Sequence, residues 1–418
     1  MRNVALRRAL LLALLAALTA TPPAMARIKL AALPQRERVE IQLDNGRFTL
    51  VEEERIVPLL KSTPQAGNNM IDFSWSNTAI DKNSIQFRPL AIMQGGSFRP
   101  IAKVDEDTDE VTVINVAYPP GENALVWEVF AQAACSAKVR VSYLISNLSR
   151  SFSYRAKADN DETALTLRNF IQLSNYSGEE FGYAGVWAGF GEKFLKEVGQ
   201  QEDIKMLLHR FEDVPIEKTY TFDWYANGPL NPDKPFASKI LMHYKLVNDE
   251  KHAMGLFPLQ PGKVRIFIDD SRGGEAFLGE DWAQLTPLDG DMKLYLGEAR
   301  DVVCERTIEH KQRQLLQGNL YNLDMTIKYE IQNFKDKPVT LDIVEQLNRV
   351  AQEHFGRTVG DVEWEMFPRS AKELNVTYEQ GGSTPILHIQ LPAKPKENVE
   401  DVEKVTVRFQ LTLKNLWQ

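Results

Sequence analysis

Val405-Thr406-Val407-Arg408-Phe409-Gln410-Leu411-Thr412-Leu413 alternates apolar and polar residues without a slip, and this period of two most constrains the fold. Successive side chains of a strand point to opposite faces, so five apolar residues would line one side and four polar ones the other. That is the pattern of a strand with one buried face. Val264-Arg265-Ile266-Phe267-Ile268 and Met325-Thr326-Ile327-Lys328-Tyr329 repeat it. Turn signals punctuate the runs at Asp44-Asn45-Gly46, Pro119-Pro120-Gly121, Pro261-Gly262, Gly273-Gly274 and Gly381-Gly382. The expectation is an all-β chain of serial antiparallel β-sandwich domains with at most one or two short helices.

A second pattern recurs at longer range. Tyr-x-aliphatic-x-Asn occurs at Tyr143–Asn147, Tyr244–Asn248 and Tyr329–Asn333, with the tyrosines 101 and 85 residues apart. That spacing is close to one β-sandwich domain. In a strand the three named side chains share a face, and Asn suits the point where a strand yields to a turn. These tyrosines therefore read as packing residues. Helical signals are few. Glu345 to Phe355 sets Leu347, Val350, Ala351 and Phe355 near one face, which predicts a short helix. Glu192 to Phe211 is ambiguous between helix and strand, with Gly199 interrupting it.

The first residues set an expected compartment. Arg2, Arg7 and Arg8 precede an apolar run from Ala9 to Ala20, and Ala24-Met25-Ala26 offers a small-x-small cleavage pattern. Residues 1–26 thus read as a cleaved signal peptide, and the protein as exported, periplasmic or extracellular. Losing the three leader arginines takes the formal charge from −8 to −11, which disfavours nucleic acid and anionic membrane surfaces. No later stretch has the roughly 18 uninterrupted apolar residues of a transmembrane anchor. A membrane barrel is disfavoured because Lys and Glu interrupt the apolar faces and the aromatics form no paired girdles. Turn clusters place expected domains at 27–124, 125–285 and 286–418, the last a sandwich of about seven strands. Cys135 and Cys304 could pair in an exported chain; their apolar neighbours favour two buried thiols.

Catalytic patterns are scarce. Gly-x-Ser-x-Gly, His-Glu-x-x-His, Cys-x-x-Cys, P-loop and dinucleotide motifs are all missing, and the six histidines are scattered singly. No catalytic residue and no cofactor is therefore assigned. Asp105, Asp107 and Asp109 sit at calcium-loop positions 1, 3 and 5, but Glu110 stands where Gly is needed and Val116 where Glu is needed. An acidic hairpin loop explains them without a metal. Asp269 to Glu275 reads likewise as a polar hairpin turn, and Gly185 to Gly191 as a glycine-kinked strand. The adjacent carboxylates Glu179-Glu180, Asp269-Asp270 and Glu280-Asp281 would diverge in a strand.

Ser177-Gly178-Glu179-Glu180-Phe181 is similar to the Thr-Gly-Glu-Asp-Trp signature of a bacterial family typified by the C-terminal domain of mucoidy-inhibitor-A-like proteins. Other segments resemble that family in order: Val139–Tyr143 with Ser151–Tyr154, Gly262–Phe267 with Glu275–Asp281, Leu296–Val302, and Tyr329–Asn333. The resemblance covers roughly Leu125 onward, and Val39 to Leu90 looks like the β domain that often precedes it. Phe152 and Phe181 stand at usual Trp positions, the coiled coil of many relatives is absent, and Glu345 to Gly360 looks inserted. The resemblance implies a β fold and export, with no catalytic residues to carry over. The expected function is a non-enzymatic module of the cell envelope that binds or scaffolds an envelope protein or polysaccharide. The alternatives are a hydrolase or lyase acting on envelope polysaccharide and a calcium-stabilised adhesin.

Overall fold

The structure, a computed structural model, describes residues 27–32, 36–43, 46–105, 109–227, 236–237, 239–355, 362–367, 375–377, 382–394 and 402–417. The leader, Asp107 and most of the Pro-rich loop at 227–235 lie outside the described residues. Among the described residues strand makes up 63% and only two short α-helices occur, so the all-β expectation holds. No helix among the described residues is long and apolar enough to cross a membrane.

The chain divides into two compact units, residues 1–151 with 172–205 and residues 152–171 with 206–418. The division passes through the strands Leu148–Ala158, Ala164–Asn175 and Glu202–Pro215. The expected seams at 124/125 and 285/286 fall inside units. Pro119-Pro120-Gly121 joins the hairpin strands Val111–Ala117 and Ala124–Ala131. Leu259 and Thr286 form a bridge within the second unit. Hairpin reversals and domain seams use the same turn residues, so the sequence alone could not separate them.

The first unit is a sandwich. Its four-stranded sheet runs in the order Ile28–Lys29, Asn69–Ser74, Ala124–Ala131, Val111–Ala117. A seven-stranded sheet runs Phe194–Val198, Gly182–Trp187, Arg38–Gln42, Thr49–Leu59, Cys135–Ile145, Gln86–Gln94, Ser97–Pro100. Phe73 and Trp127 of the smaller sheet meet Tyr143 and Phe87 of the larger, with ring centroids 5.6 and 4.8 Å apart. Such interdigitation of two inner faces makes the core. The ambiguous stretch 192–211 forms strands Phe194–Val198 and Glu202–Pro215. Glu202 accepts from the Gly199 amide at 3.1 Å in the turn between them.

The second unit pairs a six-stranded sheet (Asp291–Ala299, Ile240–Val247, Glu217–Asp223, Val339–Val344, Ile386–Leu391, Val376–Thr377) with a five-stranded one (Phe236–Ala237, Val302–Leu315, Leu320–Asn333, Val405–Trp417, Glu363–Met366). Phe222, Ile327, Leu341, Leu387, Phe409 and Leu411 form the core they enclose. The sandwich thus takes in strands from before 286. The expected helix spans Leu347–Phe355 and buries Leu347, Val350 and Ala351. A third sheet orders Glu202–Pro215, Ala164–Asn175, Leu148–Ala158, Gly262–Asp269 and Glu275–Ala283. Cys135 and Cys304 are free thiols, half-buried and buried respectively.

The Tyr-x-aliphatic-x-Asn copies end their strands as expected, and all three tyrosines are buried. Asn248 donates to the carbonyls of Phe257, Thr286 and Pro287, and Asn333 to those of Lys337 and Pro392. Each closes the turn that follows its strand. Asn147 instead is exposed with φ 61°. The matching cap in that unit comes from Asn175, which donates to Glu179 and Gly199 carbonyls at 2.8 and 2.7 Å.

Candidate functional site

The first unit holds a cavity of about 560 Å³ whose wall includes Arg36, Glu53, Arg55, Phe73, Glu179 and Phe181. Its floor comes from the strand Thr49–Leu59, where every odd residue is buried. That row places Glu53 and Arg55 between Val51 and Val57, on a buried face completed by Thr49 and Leu59. A charge there survives only if it is paired and hydrogen-bonded. Glu53 accepts the Tyr143 hydroxyl at 2.5 Å, Arg55 Nε at 3.0 Å and Nη2 at 2.8 Å, and lies 3.1 Å from Arg36 Nε. Arg55 Nη1 also donates to the Leu30 carbonyl at 3.0 Å.

Arg36 bridges the two carboxylates. Beyond Glu53 it donates to Glu179 and to the Glu180 carbonyl, and its guanidinium lies 5.9 Å from the Phe181 ring centroid. Burial raises the Glu179 carboxyl above the ordinary carboxylate value; Arg36 pulls against this and the charge of Glu53 adds to it. Burial works against the Arg36 charge too, but Glu53 and Glu179 more than offset it, so its pKa is raised. Burial, then the charges of Glu53 and Glu179, holds the Tyr143 phenol well above its ordinary value, so it stays a donor.

Of the residues singled out from the sequence motif, Glu179, Glu180 and Phe181 line this cavity, and Ser177 and Gly178 precede them. Ser177 is buried and donates to Asn175 Oδ1 at 2.7 Å. Gly178 has φ +83°, and a Cβ there would sit 2.0 Å from the Asn77 carbonyl oxygen, so only glycine fits. Glu179 faces Arg36, Glu180 is exposed, and Phe181 is buried beneath the cavity. Arg36, Glu53 and Arg55 were missed. A signal did exist: Val51-x-Glu53-x-Arg55-x-Val57 interrupts an apolar row with opposite charges two residues apart.

Asp105 and Asp109 are exposed, and the backbones of Lys103 and Asp109 form an isolated antiparallel β-bridge. Glu110 is held by Arg99 through two 2.8 Å bonds. Among the described residues no group of three His, Cys, Asp or Glu is placed to hold a metal ion. Asp269 and Asp270 cap the turn before Glu275 by accepting the amides of Ser271, Arg272 and Gly274.

The remaining Tyr–Glu pairs lie in the second unit. Tyr244 donates to Glu162 at 2.6 Å, and Glu162 also takes Lys218. Tyr329 donates to Glu345 at 2.5 Å. Glu345 also holds Arg306, 2.6 Å from its Nε, while Glu353 lies 3.4 Å from the same guanidinium. Trp224 Nε1 donates to Glu353 at 2.8 Å and its ring lies 5.0 Å from the Arg306 guanidinium carbon. These charged side chains are at most 1% exposed, so this cluster is sealed.

One histidine has a triad-like setting: His388 Nε2 lies 2.8 Å from the Thr377 hydroxyl and Nδ1 2.7 Å from Asp342. Asp342 and His388 are register partners, and Thr340–Gln390 forms the preceding rung at 2.9 Å. The line reads as a polar ladder on a sheet face.

No protein-family model and no curated protein matches the chain.

Proposed function

We propose that the protein is an exported, non-enzymatic β-sandwich module of the bacterial cell envelope, akin to the mucoidy-inhibitor-A-like family, that binds or scaffolds another envelope component. The observation that carries this reading is that the cavity's two inner carboxylates, Glu53 and Glu179, are both held by arginine, while the third, Glu180, is exposed. Glu53 takes donors from Tyr143, Arg55 and Arg36, and the same Arg36 engages Glu179. A general base or nucleophile needs a lone pair facing substrate. Here both carboxylates are turned toward guanidinium groups, as suits a rigid recognition surface. The leader pattern at residues 1–26 and the motif at Ser177 to Phe181 support export and the family likeness.

A hydrolase or lyase acting on envelope polysaccharide is the second reading. It is favoured by two carboxylates meeting in an aromatic-lined cavity, one of them with a raised pKa. Incubating the purified protein with envelope polysaccharides and peptides tests both. No turnover is expected. Turnover abolished by Glu53→Gln, Glu179→Gln or His388→Ala, with the fold intact, would sink the non-enzymatic reading.

A further inference from the structure

The five-stranded sheet of Gly262–Asp269 and its neighbours has a strongly one-sided chemistry. Along Phe152 to Ala158 the even residues are buried, and Ser153, Arg155 and Lys157 face outward. Arg155 pairs in register with Arg265, which pairs with Glu280; Lys263 pairs with Trp282 and Phe267 with Phe277. Cross-strand partners share a face, and contacts agree. The Arg155 guanidinium lies 4.4 Å from the Phe267 ring centroid, and the Phe267 and Phe277 rings are 5.5 Å apart. Lys263 and Arg265 both reach Glu280. Phe277 and Trp282 are 59% and 57% exposed, far more than a packed aromatic.

Beside this aromatic strip lies a cavity of about 270 Å³, lined by Arg155, Lys157, Thr166, Arg168, Arg210 and Glu275. Four basic side chains thus face one acidic one, on a chain of formal charge −8. Arg155 is paired with Glu275, Lys157 with Asp269 and Arg210 with Glu212. Among the described residues Arg168 has no carboxylate partner. Four interstrand gaps of roughly 4.8 Å make the face about 19 Å wide, enough for several rings of an extended polymer.

We propose that this face binds an acidic polysaccharide. Each element has a counterpart in such a chain. The apolar faces of sugar rings stack on Phe267, Phe277 and Trp282. A ring carboxylate pairs with Arg168, whose planar fork suits it, while Arg155 and Arg210, already paired with Glu275 and Glu212, flank that position. Hydroxyls donate to the interspersed Glu275 and Glu280. Those carboxylates decide between polyanions: they repel a polyphosphate, which has no hydroxyl donor on its charged groups, and accept from a uronate chain.

The inference deepens the envelope-binding reading by naming the partner class, and rests on it only for the source of the glycan. Calorimetry on the full chain with polygalacturonate fragments, dextran of equal length and a single-stranded oligonucleotide tests it. Binding to polygalacturonate alone, weakening with salt, is the expected result. Arg168→Glu and Trp282→Ala should each weaken it about tenfold or more, with unchanged melting because both side chains sit on the outer face. Equal or tighter binding of dextran or oligonucleotide, no binding at all, or indifference to both substitutions overturns the proposal. Cleavage of the bound polymer would instead defeat the non-enzymatic reading and leave this face standing.

Discussion

The two units bury arginine–carboxylate clusters built from the same parts to opposite ends. Each has a tyrosine of the Tyr-x-aliphatic-x-Asn pattern donating to a glutamate, at 2.5 Å in both cases. Each glutamate is held by arginine from another strand or segment. In the second unit the cluster is closed: the Arg306, Glu345 and Glu353 side chains are at most 1% exposed and Trp224 covers the guanidinium. In the first, Glu53 is equally buried, but Arg36 and Glu179 are 19% and 23% exposed and open on the cavity. Replacing a buried ion pair by apolar residues often costs nothing, whereas removing one partner is costly, so the two clusters are told apart by what each loses when a partner is cut.

Breaking the sealed cluster should have the largest effect. Glu345→Ala leaves the buried Arg306 only its longer 3.4 Å contact to Glu353 and takes away the Tyr329 acceptor, and should cost about 3–5 kcal/mol in denaturant unfolding. Glu179→Ala, which leaves Arg36 its contacts to Glu53 and to solvent, should cost no more than about 1 kcal/mol. Similar costs for the two would erase the distinction between them.

Gly178→Ala comes next. It adds a Cβ at 2.0 Å from backbone at positive φ and should cost at least about 2 kcal/mol. Gly297→Ala meets open space at φ +130°, so only the backbone strain of about 1 kcal/mol or more remains. Thermal melts of the pair separate a glycine packed against backbone from a merely strained one.

Removing the phenol hydroxyls compares the two centres directly. Tyr329→Phe should cost about 1.5–3 kcal/mol, the range for a hydrogen bond to a charged group. Tyr143→Phe should cost less, because Glu53 keeps donors from both Arg55 and Arg36. The reverse order would mean that these guanidinium groups do not compensate for the lost phenol.

The smallest effect is in pH. The folded Glu179 carboxyl holds its proton more tightly than the unfolded chain does. Its contribution to stability therefore rises as pH falls through the raised value toward 4.5, and is flat below that. Glu162 has a lowered pKa: burial raises it, but Lys218 and Tyr244 more than offset this. Its contribution is present above 4.5 and lost as pH falls through the lowered value. The stability of Glu179→Gln and Glu162→Gln relative to the native chain, followed from pH 7 to acid, should thus drift in opposite directions.

Much of the fold was legible because the physics of a strand is local. Alternation at Val405–Leu413, Val264–Ile268 and Met325–Tyr329 identified strands that run Val405–Trp417, Gly262–Asp269 and Leu320–Asn333, and the periodicity of Leu347, Val350 and Ala351 identified the helix. Gly178 and Glu179 drew notice as a motif, without a role. Arg36, 143 residues from Glu179, carried no sign of its partner.

The sequence by itself determined which side of the cleanly alternating strands is apolar and where the Tyr-x-aliphatic-x-Asn strands end, because side-chain alternation and the turn chemistry of Asn and Gly act over a few residues. Only the tertiary structure decided which buried charges meet, which cluster is sealed and which opens on a cavity, and which basic residues share an outer face. Those outcomes depend on pairings between strands far apart in the chain, and a charge on a buried face does not reveal the residue that will neutralise it. The Tyr-x-aliphatic-x-Asn strands show both halves: their corners were readable in advance, but the glutamate opposite each tyrosine was not.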